Sequence, residues 1–108
     1  MSIHVKSENK VEVIYLDLEI DLDTTQAVKD QIKKSLETSN KVHVDLSKVS
    51  YIDSSGIASL IEGMQIAKRM NKEFGLVNVS NEVIKVIKLA HLDTVFNIIS
   101  ETNKSANS

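Results

Sequence analysis

The apolar residues of this chain change period along its length, from every second residue to every third or fourth and back. That alternation most restricts what the chain can fold into. Ile3 and Val5 alternate with polar neighbours, the turn cluster Ser7-Glu8-Asn9-Lys10 follows, and Val11, Val13 and Tyr15 alternate again up to about Leu18. This pattern predicts two strands joined as a hairpin. Val28, Ile32 and Leu36 then fall at i, i+4 and i+8 behind the helix-capping run Asp21-Leu22-Asp23-Thr24-Thr25, which predicts a helix over about 24–38. Val42, Val44 and Leu46 predict a third strand. Ile57, Leu60, Ile61, Met64 and Ala67 form the buried stripe of a second helix over about 55–71. Asn71 is expected at its left-handed end, because Asn tolerates that conformation, with Gly75 as the competing choice. The apolar run over 74–79 reads as a buried parallel strand. Ser80 is placed to cap a third helix over 81–90, with Val83, Ile84, Ile87 and Ala90 facing in. Leu92, Val95 and Phe96 continue the apolar surface, and a last strand is predicted over 96–99.

Strands and helices that alternate in this way predict an α/β domain with right-handed crossovers. The N-terminal hairpin makes the sheet mixed, with four to five strands and about three helices mainly on one face. The 108 residues suit one domain, over residues 1–100. The polar residues 101–108 are predicted to be a disordered tail.

Composition removes several functions. There is no Cys, hence no disulfide framework, thiol nucleophile or cysteine zinc site. Thirteen basic residues against fifteen acidic ones give a net charge of −2, which argues against a nucleic-acid binder. No apolar run approaches the roughly 18 residues of a membrane span, and the first residues lack the pattern of a signal peptide. A soluble, cytoplasmic protein without nucleic-acid or membrane partners is expected.

One segment carries chemistry. Asp53-Ser54-Ser55-Gly56 lies between a strand exit and a strongly amphipathic helix. Ser55 is expected at the helix start, its hydroxyl accepting from a free backbone N–H. The same free donors and the helix dipole favour negative charge there, so the fold tolerates a phosphate, which adds about −1.5 to −2 charges. Asp53 precedes the serine by two residues, and Asp17-Leu18-Glu19-Ile20-Asp21 is expected close by. An ordinary pair of capping serines is the plainer account of the local pattern. At 100° per residue, Ser55, Ser59, Glu62 and Ile66 fall opposite Ile57, Ile61 and Met64, flanked by Gly63 and Met70. This predicts a surface strip of small residues with Ile66 and Met70 as exposed anchors.

Other chemistries are weakly supported. A serine hydrolase needs a base and an oxyanion site, yet His4, His43 and His91 lie on two strands and near a helix end, and no Gly-x-Ser-x-Gly turn exists. The three histidines are not at metal-ligand spacing, and no Gly-rich phosphate loop is present. Asp17, Glu19, Asp21 and Asp23 alternate and would share one side of an extended segment; a solvated acidic loop explains them better than a weak cation site. No enzyme activity, metal or cofactor is expected.

The order of these pieces resembles the STAS domain family, and within it the bacterial anti-sigma factor antagonists. The similarity runs from about Val11 to Ile99. It is carried by Leu18-Glu19-Ile20-Asp21, Val42-His43-Val44-Asp45-Leu46-Ser47, Tyr51-Ile52-Asp53-Ser54-Ser55-Gly56-Ile57, Asn78-Val79-Ser80, the stretch over 83–89, Leu92 and Phe96. The resemblance implies a partner-switching protein in which Ser55 is phosphorylated by a serine kinase of the GHKL type that doubles as an anti-sigma factor. The unphosphorylated form binds that kinase, phosphorylation releases it, and a metal-dependent, PP2C-like phosphatase restores binding. Asp53, Ser54 and Gly56 carry over as motif neighbours, and Glu19 and Asp21 as part of the partner surface. A monomer is the default for such a hub. A STAS module acting on a non-sigma target, such as an adhesion or secretion regulator or a lipid-transport complex, is the alternative output. The chain departs from the family at Leu18, where a Gly usually brings the loop close to the serine, and in its polar ending, where an amphipathic helix is usual.

Overall fold

Asn9 (φ 52°) and Lys10 (φ 68°) both take the left-handed conformation, the geometry of a two-residue hairpin turn. The turn folds β1 (Ser2–Glu8) back on β2 (Val11–Asp17), pairing Glu8 with Val11 and Ser2 with Asp17. The computed structural model describes residues 2–99; the polar tail predicted over 101–108 lies outside them.

The remaining strands are parallel and need crossovers, which the three helices supply. α1 (Thr25–Thr38) leads to β3 (Lys41–Asp45), α2 (Ser54–Arg69) to β4 (Glu73–Val77), and α3 (Asn81–Leu89) to β5 (Ile98–Ile99). The sheet order is β1-β2-β3-β4-β5, with only β1 antiparallel. The mixed five-stranded sheet with three helices is the architecture expected from the alternation of periods.

Alternation along the strands sends Ile14, Leu16, Val42, Val44 and Leu76 to one face of the sheet. The helices bury Val28, Ile32 and Leu36 of α1, Ile57, Leu60 and Ala67 of α2, and Val83 and Ile87 of α3 in the same cluster. Each of these Val, Leu and Ile side chains contributes about 1.5–3 kcal/mol. The other face carries Val13, Tyr15, His43, Asp45 and Val77. Asp45 is buried there with its carboxylate fully engaged, accepting from Ser47 N (2.9 Å), Ser47 Oγ (2.6 Å) and Asn78 Nδ2 (2.9 Å).

Helix ends follow local chemistry. Asn71 (φ 57°) takes the left-handed position after α2, and Lys72 N donates to Ala67 O at 2.9 Å, which closes the helix. Gly75 lies inside β4 instead. Ser80 caps α3 by accepting from Val83 N and donates its own proton to Val49 O at 2.6 Å. Ile84, Ala90 and Val95 differ from the apolar pattern: Ile84 is half-buried outside the core cluster, and Ala90 and Val95 are exposed, where α3 ends at Leu89 and His91 (φ 59°) turns the chain. Phe96 is buried in the core but lies outside β5, which is shorter than predicted.

Candidate functional site

Asp53 leaves the preceding segment extended (φ −109°, ψ −173°) and caps α2. Its Oδ1 accepts from Gly56 N at 3.0 Å and from Ser55 Oγ at 2.6 Å. The cap is therefore Asp53, and Ser55 is a donor rather than the predicted acceptor. A carboxylate is the stronger acceptor and takes a backbone and a side-chain proton together. Ser55 is half-buried while Ser54 is exposed.

The hydrogen bond from Ser55, followed by that from Gly56 N, holds the Asp53 carboxyl below its ordinary value of 3.8. A carboxylate with a lowered folded pKa stabilises the fold fully above its unfolded pKa, and the contribution is lost as pH falls through the folded value. Asn caps a helix about as well as Asp but carries no charge. Asp53→Asn is thus expected to melt below the wild type at neutral pH, with the gap closing in thermal melts taken below about pH 4. A gap independent of pH would show that the charge contributes nothing.

The second part of the site is the segment after β2. Leu18 and Ile20 point into the core, which leaves Glu19 exposed and Asp21 half-buried. Ile20 forms a parallel bridge with Ile52: Ile20 N donates to Tyr51 O (3.0 Å) and Asp53 N donates to Ile20 O (3.2 Å). Thr24 staples the loop, its Oγ1 donating to Glu19 O (2.7 Å) and accepting from Asp21 N (3.0 Å). Leu18 does not hold the loop away, because the close approach is set at the other side. A Cβ on Gly56 would lie 2.5 Å from Ile20 O and 2.6 Å from Ile52 Cγ1. Glu19 and Asp21 therefore share a surface with the Asp53–Gly56 turn. Asp17, Glu19, Asp21 and Asp23 line one open cavity of about 520 Å³ together with Lys48. The chain does not stay extended there: it turns at Asp21, whose O accepts from Thr24 N and Thr25 N. Among the described residues, no group of three or more His, Cys, Asp or Glu is placed to hold a metal ion.

The surface strip predicted on α2 is not one. Ser59 and Gly63 are buried. A Cβ on Gly63 would meet Ile32 Cγ2 at 2.9 Å, so this small residue serves close packing against α1. Ile66 is half-buried against the core. Met70 is exposed, but fifteen residues beyond Ser55 places it about 22 Å away along the axis. Glu62 is exposed and pairs with Lys29 of α1 (3.7 Å). The wheel misassigned the face because α2 packs against both α1 and β4 and buries a wide arc. Two exposed apolar side chains flank the motif and carry no periodic signal in the sequence: Leu22 (78% exposed) and Tyr51 (48%). Both sit in loops, where an apolar residue without a partner in any stripe was the available hint.

The fold is thus a small mixed-sheet α/β domain with a serine at the start of α2, hydrogen-bonded to Asp53 beside the loop bridged to Ile52. The chain belongs to the STAS domain family, whose model matches residues 2–106. Solved structures with the same fold include an anti-sigma factor antagonist from Mycobacterium paratuberculosis, at 24% identity and TM-score 0.82 over 95% of this chain and 87% of that one. The anti-sigma factor antagonist SpoIIAA in its unphosphorylated form matches at 19% identity and TM-score 0.76 over 95% and 90%. The Bacillus cell fate determinant SpoIIAA in its phosphorylated form matches at 18% and 0.71 over 95% and 94%. No described helix is long and apolar enough to cross a membrane.

Proposed function

We propose that this protein is a phospho-regulated partner switch, an anti-sigma factor antagonist with Ser55 as its acceptor. Unmodified, it binds a serine kinase of the GHKL type that is also an anti-sigma factor, through the surface formed by the Asp53–Gly56 turn, Glu19, Asp21, Leu22 and Tyr51. Phosphorylation of Ser55 releases the kinase, and a PP2C-like phosphatase resets the switch. The protein works as a cytoplasmic monomer and a regulator, not as an enzyme.

The observation that carries this reading is the placement of Ser55. Its hydroxyl sits at a helix start, bonded to Asp53, beside the bridged loop that carries Glu19 and Asp21, in a STAS domain. One dianion there changes the charge of the docking surface by nearly the whole net charge of the chain. Incubation with the cognate kinase and ATP, followed by mass spectrometric mapping, is expected to place one phosphate on Ser55. A stoichiometric phosphate elsewhere, with Ser55 unmodified, overturns the assignment.

A further inference from the structure

Taking Ser55 as the phosphate acceptor, we propose that Asp53 converts the modification into a change of shape: the carboxylate that holds the hydroxyl expels the phosphoryl group from the helix start. One oxygen, Asp53 Oδ1, binds both the Ser55 hydroxyl at 2.6 Å and Gly56 N at 3.0 Å. A phosphate ester has no proton on Oγ. The contact that was a short hydrogen bond becomes two facing oxygens, with about −1.5 to −2 charges added beside a carboxylate.

Asp53 has little room to withdraw. Its side chain still holds Gly56 N, and its own backbone N–H is bonded to Ile20 O. Gly56 in turn sits against Ile20 O with no space for even a methyl group. The serine side chain is the part that can turn, outward past the exposed Ser54. The carboxylate that anchored it inside thereby becomes the reason it leaves.

The other groups around the phosphate are acidic in majority. Glu19 and Asp21 lie on the loop bridged to Ile52, and Asp17, Asp23 and Lys48 line the cavity beside them. Tyr51 flanks the turn, and Glu62 lies further along α2, paired with Lys29. The helix N-terminus opposes these carboxylates by favouring the dianion. A substitution at Asp53 alone separates its effect from all of them.

The test places phosphoserine at position 55 of the full chain by genetic encoding, without a kinase, and follows the amide resonances of Gly56 and Ile57 by NMR while pH takes the phosphate through its second ionisation. The wild-type background is compared with Asp53→Asn and Asp53→Ser, both good caps. A phosphate seated on the free N–H groups of the helix start shifts them as it titrates, whereas one turned out to solvent does not. Small shifts are expected in the wild type and clearly larger ones in both variants, where no carboxylate opposes the dianion. Equal shifts in all three proteins overturn the proposal. Because the phosphate is installed directly, that result is separate from a kinase failing to modify Ser55, which overturns the functional reading instead.

Discussion

Gly56→Ala is expected to be among the most damaging single-methyl additions to this protein. The new Cβ would lie 2.5 Å from Ile20 O, 2.6 Å from Ile52 Cγ1 and 2.8 Å from Ile20 Cγ2. The first of these atoms is backbone and has no rotamer to escape into, so the loop must move. Alanine favours the helix by about 1 kcal/mol, but overpacking of this kind costs about 1–3 kcal/mol or more. Displacing Ile20 also strains its two hydrogen bonds with Tyr51 and Asp53. A net loss of about 1–3 kcal/mol is expected in denaturant unfolding, with a melting temperature lowered by roughly 4–8 °C per kcal/mol. Gly63→Ala makes an informative control. Its nearest neighbours are Cγ2 and Cδ1 of Ile32 at 2.9 and 3.1 Å, side-chain rather than backbone atoms and farther than those at Gly56, so a smaller loss is expected. A Gly56→Ala protein as stable as the wild type would mean that the loop does not rest on the helix start.

The second large effect concerns binding. Ser55→Asp is expected to weaken the complex with the kinase about 100-fold, equivalent to about 2.7 kcal/mol, whereas Ser55→Ala stays within a few-fold of wild type. Alanine removes one hydrogen bond at a half-buried position and leaves the Asp53 cap to Gly56 intact. Aspartate puts a second carboxylate where a donor stood, next to Asp53 and near Glu19 and Asp21. Uncompensated like charge at an interface costs several kcal/mol. Titration calorimetry reads both variants directly, and equal affinities would end the switch mechanism.

The fold was largely legible because its periods are clean. Val28, Ile32 and Leu36 marked α1, alternation of Val11, Val13 and Tyr15 marked β2, although the face packed under the helices is that of Ile14 and Leu16, and Asn71 marked the end of α2. What escaped was relational. A helical wheel shows which residues share a side but not how many neighbours a helix has. α2 touches a helix and a sheet together, so Ser59 and Gly63 were read as surface when they are packing contacts. The motif Asp53-Ser54-Ser55-Gly56 was visible, but not the division of labour within it. Cap and donor exchange roles because α2 begins at Ser54, so the N–H three residues past the cap is that of Gly56 and Asp53 is placed to accept it, a helix start the sequence alone does not fix to the residue. Leu22 and Tyr51 were passed over because a loop residue has no period to violate.

The bridge between Ile20 and Ile52 has a kinetic meaning. Two loops about thirty residues apart in the sequence form one prearranged block, already hydrogen-bonded to each other, on which the proposed partner would dock. Little backbone ordering remains to be done at the moment of encounter, so the entropy lost on association is small and rigid docking is the default. A partner switch of the proposed kind, built this way, would capture each partner at a rate set by collision and charge. Its choice between partners is then made by how long each one stays.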